Sequence, residues 1–242
     1  MAIHFQKEMD DLKKHILSLC ALVEKYVLAA ARAIEEQDAD AAREVIAKDI
    51  EIDRQEVMIE EEALKILALY QPVATDLRFL VSVIKINNDL ERIGDLAVNI
   101  AERAVWLSCC ETAAERIDFR GMCDKVLAML RNSLDALVNW NIEQARAVCA
   151  ADDEVDAMNR EMYETIKAAL RKSHEEVECL VHLLGVSRSL ERIADHATNI
   201  AEDVIYMIGG EIVRHKAEEF QETQSERGPN HGKSATDSDR RG

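Results

Sequence analysis

The chain has 242 residues, with 47 acidic and 30 basic side chains and a formal net charge of −17. That charge excludes a general affinity for nucleic acid or anionic lipid, both of which require a basic face, and favours cations or basic protein surfaces as partners. Two prolines, eight glycines and 4% aromatic residues, in a chain dominated by Ala, Leu, Glu, Arg and Ile, exclude sheets and predict long helices around an aliphatic core.

In chain order, Phe5, Met9, Leu12, Ile16, Leu19, Val23, Val27, Ala30 and Ile34 recur at helical spacing and predict one long helix to about Glu36. Gln37-Asp38-Ala39-Asp40 is a turn with Asp38 as N-cap. A second helix runs to about Tyr70 and turns Val45, Ile52, Ile59, Ile66 and Leu69 inward. Gln71-Pro72 stops it. Pro72 suits the first position of a third helix, Asp76 its first turn, and that helix reaches about Leu107. Ser108 to Arg116 is polar and irregular, the best candidate for a linker.

The scheme then repeats. Ile117 to Asn139 is a fourth helix, Asn139-Trp140-Asn141 a turn, a fifth helix ends near Ser173, and a sixth runs from His174 to about Ile208. Gly209-Gly210 terminates the sixth. Beyond Glu211 periodicity is lost and the polar end of the chain reads as a disordered tail. The fold class expected is all-α: two tandem, pseudo-symmetric three-helix bundles of six long helices, with units at 1–110 and 111–210 and a tail at 211–242. The six cysteines (Cys20, Cys109, Cys110, Cys123, Cys149, Cys179) form no C-x-x-C pair and mostly sit in apolar helical contexts. With no signal peptide and no apolar run near twenty residues, a reducing cytoplasm is the expected compartment.

The duplication is clearest in the third and sixth helices. The pattern L-E-R-I-x-D-x-A-x-N-I-A-E stands intact from Leu90 to Glu102 and from Leu190 to Glu202. Leu90, Ile93, Ala97, Ile100 and Ala104 line an apolar face, whereas Glu91, Asp95, Asn99 and Glu102 step by four, four and three along another. The second helix repeats in the fifth, Ala42-Arg43-Glu44-Val45 matching Ala145-Arg146-Ala147-Val148 at an offset three residues larger. Each unit therefore carries two acid-x-x-x-acid pairs: Asp49/Asp53 with Glu91/Asp95, and Asp152/Asp156 with Glu191/Asp195. Four-residue spacing stacks the carboxylates one turn apart, at a cost of a few tenths of a kcal/mol that a bound cation would reverse. Two pairs on neighbouring helices could converge on one cation, and oxygen ligands alone suit Mg, Ca, Mn or Fe over zinc.

A solvated face is the ordinary origin of an acidic stripe. Against it, drift between the copies spares the acidic positions while changing their neighbours: Gly94/Ala194, Leu96/His196, Val98/Thr198. Arg92 and Arg192 also keep place and suit ordinary salt bridges. No histidine follows a Glu by three residues, which sets aside a ferritin-like di-iron site. His196 points off the stripe and is taken as structural or solvent-facing. No nucleophile triad or phosphate loop is present.

Gln71-Pro72-Val73-Ala74-Thr75-Asp76-Leu77-Arg78 and Asn88-Asp89-Leu90-Glu91-Arg92-Ile93-Gly94-Asp95, with the degenerate copy at 190–202, resemble the PhoU family of phosphate-specific transport system accessory proteins. The resemblance covers about residues 5–209, although the second copy lacks the Gln-Pro signature and carries Glu176-Val-Glu178 there. It implies a cytoplasmic homodimer, peripheral to the inner membrane only through partners. It implies a non-enzymatic regulator of phosphate uptake that restrains the high-affinity transporter and phosphate-starvation signalling, with the transporter ATPase subunit and a membrane sensor histidine kinase as partners. It also implies a multinuclear metal cluster (iron, zinc, manganese or magnesium) on Asp49, Asp53, Glu91, Asp95, Asp152, Asp156, Glu191 and Asp195. The alternatives are a carboxylate-bridged, metal-dependent phosphoesterase, which would need a pocket and a phosphate-binding Arg or Lys beside the metal, and a structural helical adaptor without metal.

Overall fold

The computed structural model describes residues 2–109, 117–172 and 176–213. Seven helices occupy them: α1 Ala2–Glu36, α2 Ala39–Ala47, α3 Asp49–Tyr70, α4 Ala74–Leu107, α5 Arg120–Asn139, α6 Ile142–Leu170 and α7 Val177–Gly209. The expected all-α fold of two three-helix units stands, with the second helix broken into α2 and α3. The break is at Lys48 (φ −101°, ψ 0°), whose N–H bonds back to the Val45 carbonyl and whose own carbonyl accepts from Glu51 N–H. Asp49 is thereby the first residue of α3, while its counterpart Asp152 lies within the unbroken α6.

Local signals account for most helix ends. The Asp38 carboxylate accepts from the amides of Asp40 and Ala41, each at 3.0 Å, and Asn141 caps α6 by accepting from Gln144 N–H at 3.1 Å. Gly210 ends α7 in the left-handed region, φ 75°. Trp140 takes the same conformation after α5, and Gln71 after α3. Pro72 is not the first residue of a helix: Val73 is the N-cap of α4, because Gln71 and Ala74 both adopt left-handed φ and delay helix entry. Asp76 does lie in the first turn of α4. The expected linker beyond Cys109, the start of the sixth helix at His174 and the tail from residue 214 lie outside the described residues.

The repeated helices α4 and α7 pack on each other more extensively than any other pair. Their contacts run antiparallel: Ser82 with Asp203, Asp89 with His196, and Trp106 with His182. As α1–α3 cover α4, so α5 and α6 cover α7, and α1 also touches α5. Leu90, Ile93, Ala97, Ile100 and Ala104 are all buried, in one apolar core that includes residues of both halves. Cys20 and Cys123 lie within it as free thiols, and burial pushes both up to about 12.

α3 and α4 approach closely at Gly94. A Cβ there would stand 2.8 Å from Ile52 Cδ1, so glycine is what seats Ile52, between Asp49 and Asp53, against the turn between Glu91 and Asp95. The second half solves the same problem differently. Val155 and Ala194 stand at the corresponding positions, both buried, a smaller side chain on one helix and a larger one on the other. Gly94→Ala should gain about 1 kcal/mol of helix propensity but lose about 1–3 kcal/mol to overpacking. Chemical denaturation should show net destabilisation, and Ile52→Val added to it should restore parental stability. Simple additivity of the two changes would sink this account of the contact.

Candidate metal centre

α3 packs on α4 and α6 on α7, which brings the four acidic pairs together two by two. In the second half the outcome is tight. One carboxylate oxygen from each of Asp156, Glu191 and Asp195 lies within 4.8 Å of the others, close enough for one cation. Asp152, one turn before Asp156, completes the group electrostatically: the charges of Asp195 and Asp156 act on it. In the first half Asp49 feels Asp53, Asp95 and Glu102, and Glu91 feels Asp95, Glu56 and Asp53. That set is neighbouring, yet among the described residues only the second half gathers three carboxylates within single-ion reach.

Arg92 partly offsets the shifts of Glu91 and Asp95, and Arg192 those of Glu191 and Asp195, but direct ion pairs are few. Among the described residues only Asp156 of the eight makes an ion pair, with Arg160 at 3.7 Å. Arg92 gives its Nε–H to the Asn88 side chain at 3.0 Å and to no carboxylate. Desolvation first, and the neighbouring charges second, raise the proton affinity of Asp49, Glu91, Asp95, Glu191 and Asp195 above the ordinary carboxylate range. The same causes push Asp152 up to about 6. A partly buried cluster of carboxylates whose proton affinity is raised by desolvation and by one another has the donor set of a hard-cation site: oxygen only, negative, and open on one side.

Glu56 and Glu102 belong to the first cluster although only Asp49, Asp53, Glu91 and Asp95 were expected there. Glu102 was visible on the acidic stripe. Glu56 follows Asp53 by three residues, a helical neighbour whose counterpart in the second half is Asn159. His196 is structural: its Nδ1 lies 2.7 Å from Asp89 Oδ1 and ties one half to the other.

Architecture and clusters together define a duplicated helical-bundle protein with an acidic site in each half. A family model described as the PhoU domain matches residues 16–104 and 119–204. The chain is 37% identical over 213 residues to the phosphate-specific transport system accessory protein PhoU homolog of Pseudomonas putida, covering 87% of this chain and 83% of that one. To homolog 1 of Thermotoga maritima it is 31% identical, covering 88% and 92%. The crystal structure of PhoU from Pseudomonas aeruginosa superposes with a TM-score of 0.83 at 35% identity, over 86% of this chain and all (100%) of that one. The chain belongs to the PhoU family.

Asp152 makes the metal-free protein pH-sensitive. Its folded-state carboxyl binds the proton more tightly than the unfolded one, so its contribution to stability is full below the ordinary 3.8 and is lost as pH rises through about 6. Asp152→Asn has no charge to bury. In chelator, at fixed ionic strength, its stability relative to the parent should grow across that window. A difference independent of pH would contradict the assignment.

Proposed function

We propose that the protein is a non-enzymatic regulator of phosphate uptake. It restrains a high-affinity phosphate transporter and the associated starvation signalling through protein contacts, on the cytoplasmic side of the membrane. The observation that carries this reading is that both copies of the repeat match, at 87% coverage of the chain, relatives named as accessory proteins of the phosphate-specific transport system. Consistent with a protein that reaches a transporter by docking, no helix among the described residues is long and apolar enough to cross a membrane.

An apolar stripe on α3 supports protein docking. Ile50, Val57 and Leu64 are 55%, 51% and 51% exposed and recur every seven residues, which keeps them on one face of the helix. The transporter ATPase subunit, the membrane sensor kinase and a second copy of the chain are the partners we assign to such contacts. Pull-down of the tagged protein from phosphate-replete cells should recover the ATPase subunit. Val57→Glu combined with Leu64→Glu should abolish recovery without loss of helicity, since neither side chain is buried. Undiminished recovery would move the docking face elsewhere.

The acidic clusters are read as cation sites, with iron, manganese or magnesium favoured by the all-oxygen donor set. Asp156, Glu191 and Asp195 hold the ion in the second half, and Asp49, Asp53, Glu91 and Asp95 form the first-half site. Protein purified without chelator should carry metal. Glu191→Ala with Asp195→Ala should remove the second-half share by elemental analysis, and equal metal in parent and variant would strike out the second-half cluster as a metal site. Phosphoester hydrolysis by the loaded protein, lost on Asp195→Ala, would replace the regulator with the phosphoesterase.

A further inference from the structure

Two clefts flank the α4–α7 packing, and the duplication relates them. The first, of about 700 Å³, is lined from α3, α4 and α7. The second, of about 640 Å³, is lined from α4, α6 and α7. An offset of 100 residues carries Lys85, Asn88, Asp89 and Asp203 of the first onto Gly185, Arg188, Ser189 and Arg103 of the second. Every one of these changes except Lys85 to Gly185 makes the second cleft more positive.

The ion pair itself is rebuilt. In the first cleft Lys85 Nζ meets the buried Asp203 carboxylate at 2.9 Å. In the second, the acid has become Arg103 and the lysine a glycine, and the Arg103 guanidinium lies directly against Gly185, in space any Cβ would claim. Arg103 is held there by an NH1 bond to the Asn99 carbonyl at 2.8 Å. The first cleft is lined by five carboxylates and one lysine. The second is lined by three arginines (Arg103, Arg188, Arg192) and one carboxylate, Glu191, in a chain of net charge −17. Arg188 and Arg192 both act on the charge of Glu191, and Arg192 also on that of Asp195. Asn99, Asn159 and Ser189 add neutral hydrogen-bonding groups to the same lining.

We propose that this second cleft binds a phosphoryl dianion, recognised by the guanidinium groups of Arg103, Arg188 and Arg192. Guanidinium groups fork onto tetrahedral oxyanions, and an ion held by three of them supplies the counter-charge that one carboxylate does not. Gly185 is the residue that admits Arg103 to the site. The ion is either free phosphate or the phosphate of a monoester. The inference rests on the cleft and not on the metal reading, so it is tested without metal.

Full-length protein freed of metal with chelator is titrated by calorimetry with inorganic phosphate and, separately, with phenyl phosphate. Saturable binding is expected for at least one. Tighter binding of phosphate assigns the site to the free ion, and tighter binding of phenyl phosphate assigns it to a monoester. Arg188→Ala with Arg192→Ala should weaken binding by at least about tenfold, the worth of one charge-assisted hydrogen bond. Gly185→Ala should weaken it too, by displacing the Arg103 guanidinium, without lowering thermal stability. Asn88→Ala, in the related acidic cleft, should bind as the parent does. No saturable binding of either ligand at millimolar concentration, or undiminished binding by the double arginine variant, overturns the proposal.

Discussion

The structure depends on one conflict: a single helix must bury an apolar stripe and carry an acidic stripe beside it. Burial prevails by magnitude. Each large side chain such as Leu90, Ile93 or Ile100 contributes about 1.5–3 kcal/mol when removed from water, against a few tenths for a like-charge pair one turn apart. α4 and α7 therefore pack to satisfy their apolar faces, and their carboxylates go where that packing sends them. They arrive opposite the acids of α3 and α6, Glu91 and Glu191 partly buried and Asp95 and Asp195 exposed. Their raised proton affinity comes first from the water that packing removed and second from the like charges it brought together, and a site of that kind gains most from a cation.

Duplication let the two halves resolve shared problems separately. The close approach of the acid-bearing helices is met by glycine against isoleucine in one half and is matched by alanine and valine in the other. The acidic pair on α3 follows a helix break, so Asp49 stands at a helix start, where amide dipoles favour a negative charge. Asp152 lies mid-helix without that help, and burial first and the Asp195 charge second push it up to about 6. Between the halves, a partly buried Lys85–Asp203 pair on one side faces an arginine laid over glycine on the other. A symmetric frame thus supports two unlike surfaces, one acidic and one basic.

Much of this was legible in the residues. Helix periodicity, the Asp38 cap, the Gly210 stop, the duplication and the eight acidic positions are all read from neighbours within a turn or two, or from comparison of one half with the other. The break at Lys48 was not legible, because no proline or glycine marks it. The displaced start of α4 was not, because Pro72 satisfies a helix start as well as it satisfies the turn before one. Arg103 and Gly185 were each unremarkable alone, and become informative only once they touch.

The sequence by itself determined that the chain is helical, duplicated and acidic along two matched stripes, since those properties follow from spacing and composition. Tertiary structure decided which carboxylates meet. It placed three within reach of one ion in the second half but not in the first, and made His196 a tie to Asp89 across the halves. The physical reason is that distances between helices are set by the side chains packed between them. Those side chains come from segments about fifty to a hundred residues apart, beyond the reach of any rule that acts from one turn to the next.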